Sequence, residues 1–244
     1  MSIPPEGSPG VTRTRSVRTR GDDRGRAGGI SAAIAAVLAC GLVLVGLGIG
    51  VWTHFGPQLR LDSSLSTVFY AGNHRSGALD GLLQAISAPG LAVFRYVVAV
   101  PVLLLLFRAR AWWTAAWVSG VVFLISPLTT VIKVSVGRVR PPFADGGALD
   151  PSKSFPSGHS SGIAASVVVG LVLAWPLLST QARRLWLAVG VVLTVLVGFS
   201  RMWLGVHYLS DVIAGWSLGI AWALLTAVLF GALNGGRAAL PARR

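Results

Sequence analysis

The sequence predicts an all-α fold, a polytopic membrane helix bundle with about six transmembrane helices. Three observations carry this. Hydrophobic residues make up 53% of the 244 and charged residues only 12%, with a mean hydropathy of +0.70, the composition of a membrane protein rather than a soluble one. Apolar runs recur at lengths that cross a hydrocarbon core of about 30 Å at about 1.5 Å per residue. Basic residues cluster between alternate runs, as they do in cytoplasmic loops. The net charge of +13 belongs with that topology rather than with nucleic acid. The single cysteine, Cys40, falls inside the first apolar run, where it has no disulfide partner and no companion for a zinc site; it reads as packing.

Residues 1–27 carry Arg13, Arg15, Arg18, Arg20, Arg24 and Arg26 among Pro, Gly, Ser and Thr, with too little apolar surface to offset the entropy of ordering. They are expected to form a disordered, basic cytoplasmic tail. Ile30 to Trp52 is an uncharged apolar run, too long for a signal-peptide core of about 7–15 residues, and reads as an uncleaved first span. Gly46 and Gly50, four apart, permit close helix approach. Residues 53–90 mix His54, Arg60, Asp62, His74, Arg75 and Asp80 with short apolar stretches, and read as an external loop holding one amphipathic interfacial helix. His54 and His74 belong to no motif and read as solvated.

The second span runs from about Leu91 to Phe107; Arg95 near its outer end either snorkels to the interface or contacts a substrate. Arg108 and Arg110 form a basic inner turn, and Trp112, Trp113 and Trp117 open the third span as an interfacial belt. That span continues to about Ile132, kinks at Pro127 and delivers Lys133 to the outer face. Residues 137–156 hold too many glycines and prolines for regular structure. Ser157 is placed to N-cap a fourth span of about Gly158 to Leu178. Arg183 and Arg184 return the chain to the basic side, Leu187 to Phe199 forms a short fifth span, and Val206 to Leu229 a sixth, with His207 and Asp211 one turn apart on one face. The membrane domain is thus 28–232, and residues 233–244 form a short basic tail. Most Lys and Arg lie in the two tails and the two basic turns, which places both termini in the cytoplasm and the opposite loops on the outer face of the cell membrane.

On that outer face lie three polar clusters in an otherwise apolar chain: Lys133 with Arg140-Pro141, Pro156-Ser157-Gly158-His159, and Ser200-Arg201 followed by His207 and Asp211. Lys133, Arg140 and Arg201 offer charge-assisted donors to a phosphate, and the helix start at Ser157 and Gly158 adds backbone N–H groups. Two histidines and a carboxylate provide acid-base capacity. A two-metal site needs several carboxylates, and this stretch offers only Asp145, Asp150 and Asp211, so no metal or other cofactor is expected.

The spacing Lys, six residues, Arg-Pro; Pro-Ser-Gly-His; Ser-Arg, five residues, His, three residues, Asp resembles the signature of the type 2 phosphatidic acid phosphatases, which share an active site with the vanadium-dependent haloperoxidases. All three parts stand in order. The resemblance implies that His207 is a nucleophile forming a phosphohistidine, that Asp211 orients it, and that His159 protonates the leaving oxygen. Lys133, Arg140, Ser157, Gly158 and Arg201 would then hold the phosphate. The implied substrate is a lipid phosphate or diphosphate: a polyprenyl diphosphate, phosphatidic acid or phosphatidylglycerol phosphate. A phosphotransferase using the same residues, or a transporter of phosphorylated lipids without chemistry, are the alternatives, and the oligomeric state stays open.

Overall fold

The computed structural model describes residues 20–233 and 236–241, with side chains from Ala27 onward. Among the described residues, eight α-helices carry the fold: α1 (Arg20–Trp52), α2 (Gly56–Phe69), α3 (Gly77–Ser87), α4 (Ala92–Arg108), α5 (Trp112–Val136), α6 (Gly158–Ala174), α7 (Thr180–Trp203) and α8 (Leu209–Phe230). Five of these (α1 from Ala27, α5, α6, α7 and α8) are long and apolar enough to cross a membrane. α3 and α4 pass the same test only as a pair, bent by 46° at their junction, which gives a sixth crossing if the pair is one span. The expected bundle of about six spans is present.

Small residues decide which helices sit at the centre. Gly215 and Gly219 of α8 lie one turn apart and receive the backbone of α6: a Cβ at Gly215 would stand 2.6 Å from the Ser157 carbonyl and 2.8 Å from the Ser160 Cβ. This close approach is how helices associate where lipid removes the hydrophobic drive. Around that pair, Trp117, Val121 and Ile125 of α5 and Leu103 and Leu106 of α4 fill the core with Ala165 and Val169 of α6. On the outside, Leu38, Leu42, Val45 and Ile49 of α1 are exposed at helical spacing, an apolar stripe that suits a hydrocarbon environment.

Several boundaries differ from the sequence reading, each for a local reason. The tail expected at 1–27 lies mostly outside the described residues, but from Arg20 the backbone is already helical. The expected loop at 53–90 holds two helices instead of one. Proline in the first turn starts α2, and Ser76 caps α3 by accepting from the Leu79 N–H at 3.3 Å. Window hydropathy misses α2 because its buried face carries Asp62 and Ser66. Gln58 of that helix lies against Gly50 of α1, while Gly46 faces open space. Trp112 and Trp113 are exposed as a belt requires, but Trp117 is fully buried and donates its indole N–H to Thr226 Oγ1 at 3.2 Å. His54 and His74 are exposed.

Candidate active site

The motif residues converge because successive spans alternate in direction, so the end of α5, the start of α6, the end of α7 and the start of α8 meet at one end of the bundle. The sequence reading placed Lys133 and Arg201 just beyond their spans; both occupy the last helical turn. Termination there is set by backbone geometry rather than by the first charge. Gly137 adopts φ 69° and closes α5 on the Lys133 carbonyl at 3.0 Å, a left-handed cap that strains any residue with a Cβ. Gly205, at φ 71°, makes the turn between Arg201 and His207.

His207 is not on α8, as the sequence reading had it, but in the turn before it. The pairing with Asp211 forms nonetheless. The Asp211 carboxylate caps α8 by accepting from the Tyr208 N–H at 2.9 Å, and the same Oδ2 stands 3.4 Å from His207 Nδ1. On the other side of the ring, Arg140 Nη1 lies 3.2 Å from Nε2. A guanidinium has no acceptor and a carboxylate no donor, so these two partners assign the tautomer: Nδ1 carries the proton toward Asp211 and Nε2 keeps its lone pair. Burial, then the positive charges of Arg140, Lys133 and Arg201, hold the imidazole well below its ordinary range of protonation.

The cations around this lone pair are nearly free of carboxylates. Lys133 Nζ donates to two backbone carbonyls, of Lys153 at 2.5 Å and Ser154 at 3.4 Å. Arg201 Nη1 donates to Ser87 Oγ at 2.8 Å, while its Nε is buried without a partner. Arg140 holds the loop through Ser152 and pairs with the half-exposed Asp150 at 3.0 Å. Ser157 caps α6 as expected, accepting from the Ser160 N–H at 3.4 Å and its hydroxyl at 3.0 Å. Its own N–H, expected to join the anion pocket, is instead committed to the Asp211 carbonyl at 2.9 Å. The Gly158 and His159 N–H groups have no protein partner among the described residues, as the first turn of a helix leaves them. His159 and Lys133 line one cavity of about 220 Å³. The arrangement gathers cationic donors around one unprotonated ring nitrogen, a chemistry suited to holding a phosphate.

Sequence reasoning missed the support behind Asp211. Arg138 donates to Asp211 Oδ1 at 2.8 Å and to Asp62 Oδ2 of α2 at 2.7 Å, and Ser210 bonds both Arg138 and Asp62. All four residues are buried. Against burial, which lowers it, the carboxylates of Asp211 and Asp62 raise the Arg138 pKa above its ordinary value. The signal was available as two arginines two positions apart in a non-helical segment: Arg140 serves the front of the histidine and Arg138 the back of the aspartate. Arg138→Met would leave two buried carboxylates without their cation, which costs about 3–5 kcal/mol. Thermal unfolding in detergent should therefore show a clearly lowered midpoint; a midpoint equal to that of the wild type would mean that the network contributes nothing to stability.

Residues 111–234 match the family model of the PAP2 superfamily. Among curated proteins, the chain is 43% identical over 96 residues to phosphatidylglycerophosphatase B of Bacillus subtilis, covering 38% of this chain and 46% of that protein. It is 33% identical over 130 residues to lipid A 1-phosphatase of Rhizobium johnstonii, covering 48% of each. With undecaprenyl-diphosphatase of Sulfolobus acidocaldarius it shares 35% over 149 residues, 58% of this chain and 66% of that one. The matched part thus spans about half of the first two relatives and about two-thirds of the third. Among solved structures, a transmembrane PAP2-type phosphatidylglycerolphosphate phosphatase from Bacillus subtilis superposes with a TM-score of 0.67 at 27% identity, over 78% of this chain and 93% of the other. The family match reaches across half of the sequence and takes in every motif residue gathered at the end of the bundle: this chain belongs to the PAP2 superfamily.

Proposed function

We propose that this protein is an integral-membrane phosphatase that removes phosphate from a lipid phosphate or diphosphate without a metal ion, through a phosphohistidine at His207. The observation that carries the proposal is the His207 ring, with Nδ1 turned to Asp211 and an Nε2 lone pair facing Arg140. A phosphate held by Lys133, Arg140, Arg201 and the N–H of Gly158 takes over the Arg140 donor. Nε2 then attacks phosphorus as the P–O bond to the lipid breaks. Ser157 acts indirectly, as the cap that aims α6 at this point. His159, which shares a cavity with Lys133, gives its proton to the leaving oxygen, then accepts one from the water that cleaves the N–P bond and releases inorganic phosphate. The pocket spreads the charge that moves among the phosphoryl oxygens. Relatives named as lipid phosphatases and diphosphatases support a lipid substrate. We further propose that 28–232 is the catalytic unit, that the site opens on the outer face of the cell membrane, and that both termini are cytoplasmic. Arg108, Arg110, Arg183 and Arg184, in the turns at the bundle end opposite the site, and the basic composition of the two tails support that orientation.

The test is phosphate release by the detergent-purified protein, with chelator present, from polyprenyl diphosphate, phosphatidic acid and phosphatidylglycerol phosphate. Release from at least one is expected; none from any would overturn the reading. The rate should follow a bell-shaped pH profile, because His207 acts neutral and His159 acts protonated. Burial and the neighbouring cations lower the His207 pKa, so the acid limb lies below the ordinary histidine value near 6.5. Removing one of those cations with Arg140→Gln raises that pKa and moves the acid limb to higher pH. A limb that stays in place would separate it from His207.

A further inference from the structure

Arg95 lies in the first turn of α4, and instead of snorkelling it points into the bundle, only 4% exposed. Its Nε donates to the Val122 carbonyl at 3.1 Å and its Nη2 to Ser126 Oγ at 2.6 Å. Nη1 lies over Gly162 of α6, in space that a Cβ there would fill. Among the described residues no carboxylate pairs with it. A guanidinium does not shed its charge, and neutral acceptors do not compensate it, so a buried arginine in this state is costly unless an anion arrives from outside.

The place of Arg95 identifies that anion. It lines the cavity of about 220 Å³ that holds Lys133 and His159, and it also lines a second, almost wholly apolar cavity of about 250 Å³ between Phe94, Val98, Ile163 and Leu173. It therefore stands between a space beside Lys133 and His159 and one fit for hydrocarbon. The group that follows the scissile oxygen along the lipid lies on the His159 side. In a lipid diphosphate or in phosphatidylglycerol phosphate that part of the lipid carries a second phosphate. In phosphatidic acid it carries neutral ester carbonyls.

Building on the phosphatase reading, we infer that Arg95 receives a second phosphate on the leaving side of the substrate, which makes it a specificity-determining residue for lipids with two phosphate groups. The fork of Arg95 bonds the non-bridging oxygens of that phosphate, and the attached chain continues into the apolar cavity.

The experiment compares kcat/KM of the full-length protein on polyprenyl diphosphate, phosphatidylglycerol phosphate and phosphatidic acid. The first two separate a directly linked second phosphate from one a glycerol away. The wild type should favour at least one of them over phosphatidic acid. In Arg95→Gln that ratio should fall by roughly 10–100-fold, the range for a lost charge-assisted contact. Gly162→Ala keeps the charge but crowds Nη1, and should lower the same ratio if Arg95→Gln fails to fold. An equal loss on all three substrates would make Arg95 a brace between α4 and α5 and overturn the inference, as would an unchanged ratio. Activity that requires His207 but ignores Arg95 would leave the phosphatase reading standing without this extension; no activity in the wild type would remove both.

Discussion

His207→Ala should reduce phosphate release to background, by on the order of 10⁴–10⁶-fold, the scale seen when a covalent nucleophile is removed. The structure makes this loss specific. Lys133, Arg140 and Arg201 are donors, the Asp211 carboxylate faces Arg138, Tyr208 and the ring it orients, and His159 is assigned to the leaving oxygen, so none of them takes the place of the His207 Nε2 lone pair. Water brought into the space left by the ring would have to attack phosphorus directly, without the nucleophile that Asp211 and Arg140 had positioned. His207→Asn, which keeps a donor toward Asp211, should fold as the wild type does and be equally inactive. Rapid quenching with a labelled substrate should trap an acid-labile phosphoryl group on the wild type alone. A His207→Ala protein retaining a tenth of wild-type activity would eliminate the phosphohistidine route.

Arg201→Ala should cost on the order of 10²–10³ in kcat, the usual effect of removing one donor aimed at the transition state. Here the stability readout runs opposite to the activity readout. Arg201 is a cation with a buried, unpartnered Nε and a single side-chain bond, to Ser87. An unsatisfied buried donor costs about 1–3 kcal/mol, so its removal should leave the unfolding midpoint unchanged or raise it. Arg201→Lys should restore little, because an ammonium has neither the planar fork nor the reach of Nε. Activity within threefold of the wild type in Arg201→Ala would show that this donor faces no developing charge.

The motif residues were legible because their chemistry is rare in their surroundings. A lysine, arginines, histidines and an aspartate interrupting apolar spans demand a reason, and their alternating placement at span ends brings them together in any up-and-down bundle. Asp62 and Arg138 escaped because hydropathy averages a window and has no sense of facing. Asp62 sits in a helix of mixed composition, and its partner lies 76 positions away. Arg95 could be stated only as a choice between two roles, since a charge four residues into a span reaches either the interface or the core. Which it reaches depends on whether the neighbouring helix leaves room, and here Gly162 does.

From the sequence alone came the membrane class, the number and order of spans, and the identity of the side chains that would meet at one end. Apolar run length against bilayer thickness, together with charge placement, determines these locally. Only the tertiary structure decided the tautomer of His207, the committed N–H of Ser157, the ion network behind Asp211 and the inward turn of Arg95. Each of these depends on which donors and acceptors the packed helices bring within about 3 Å of one another, a distance that no spacing along the chain specifies.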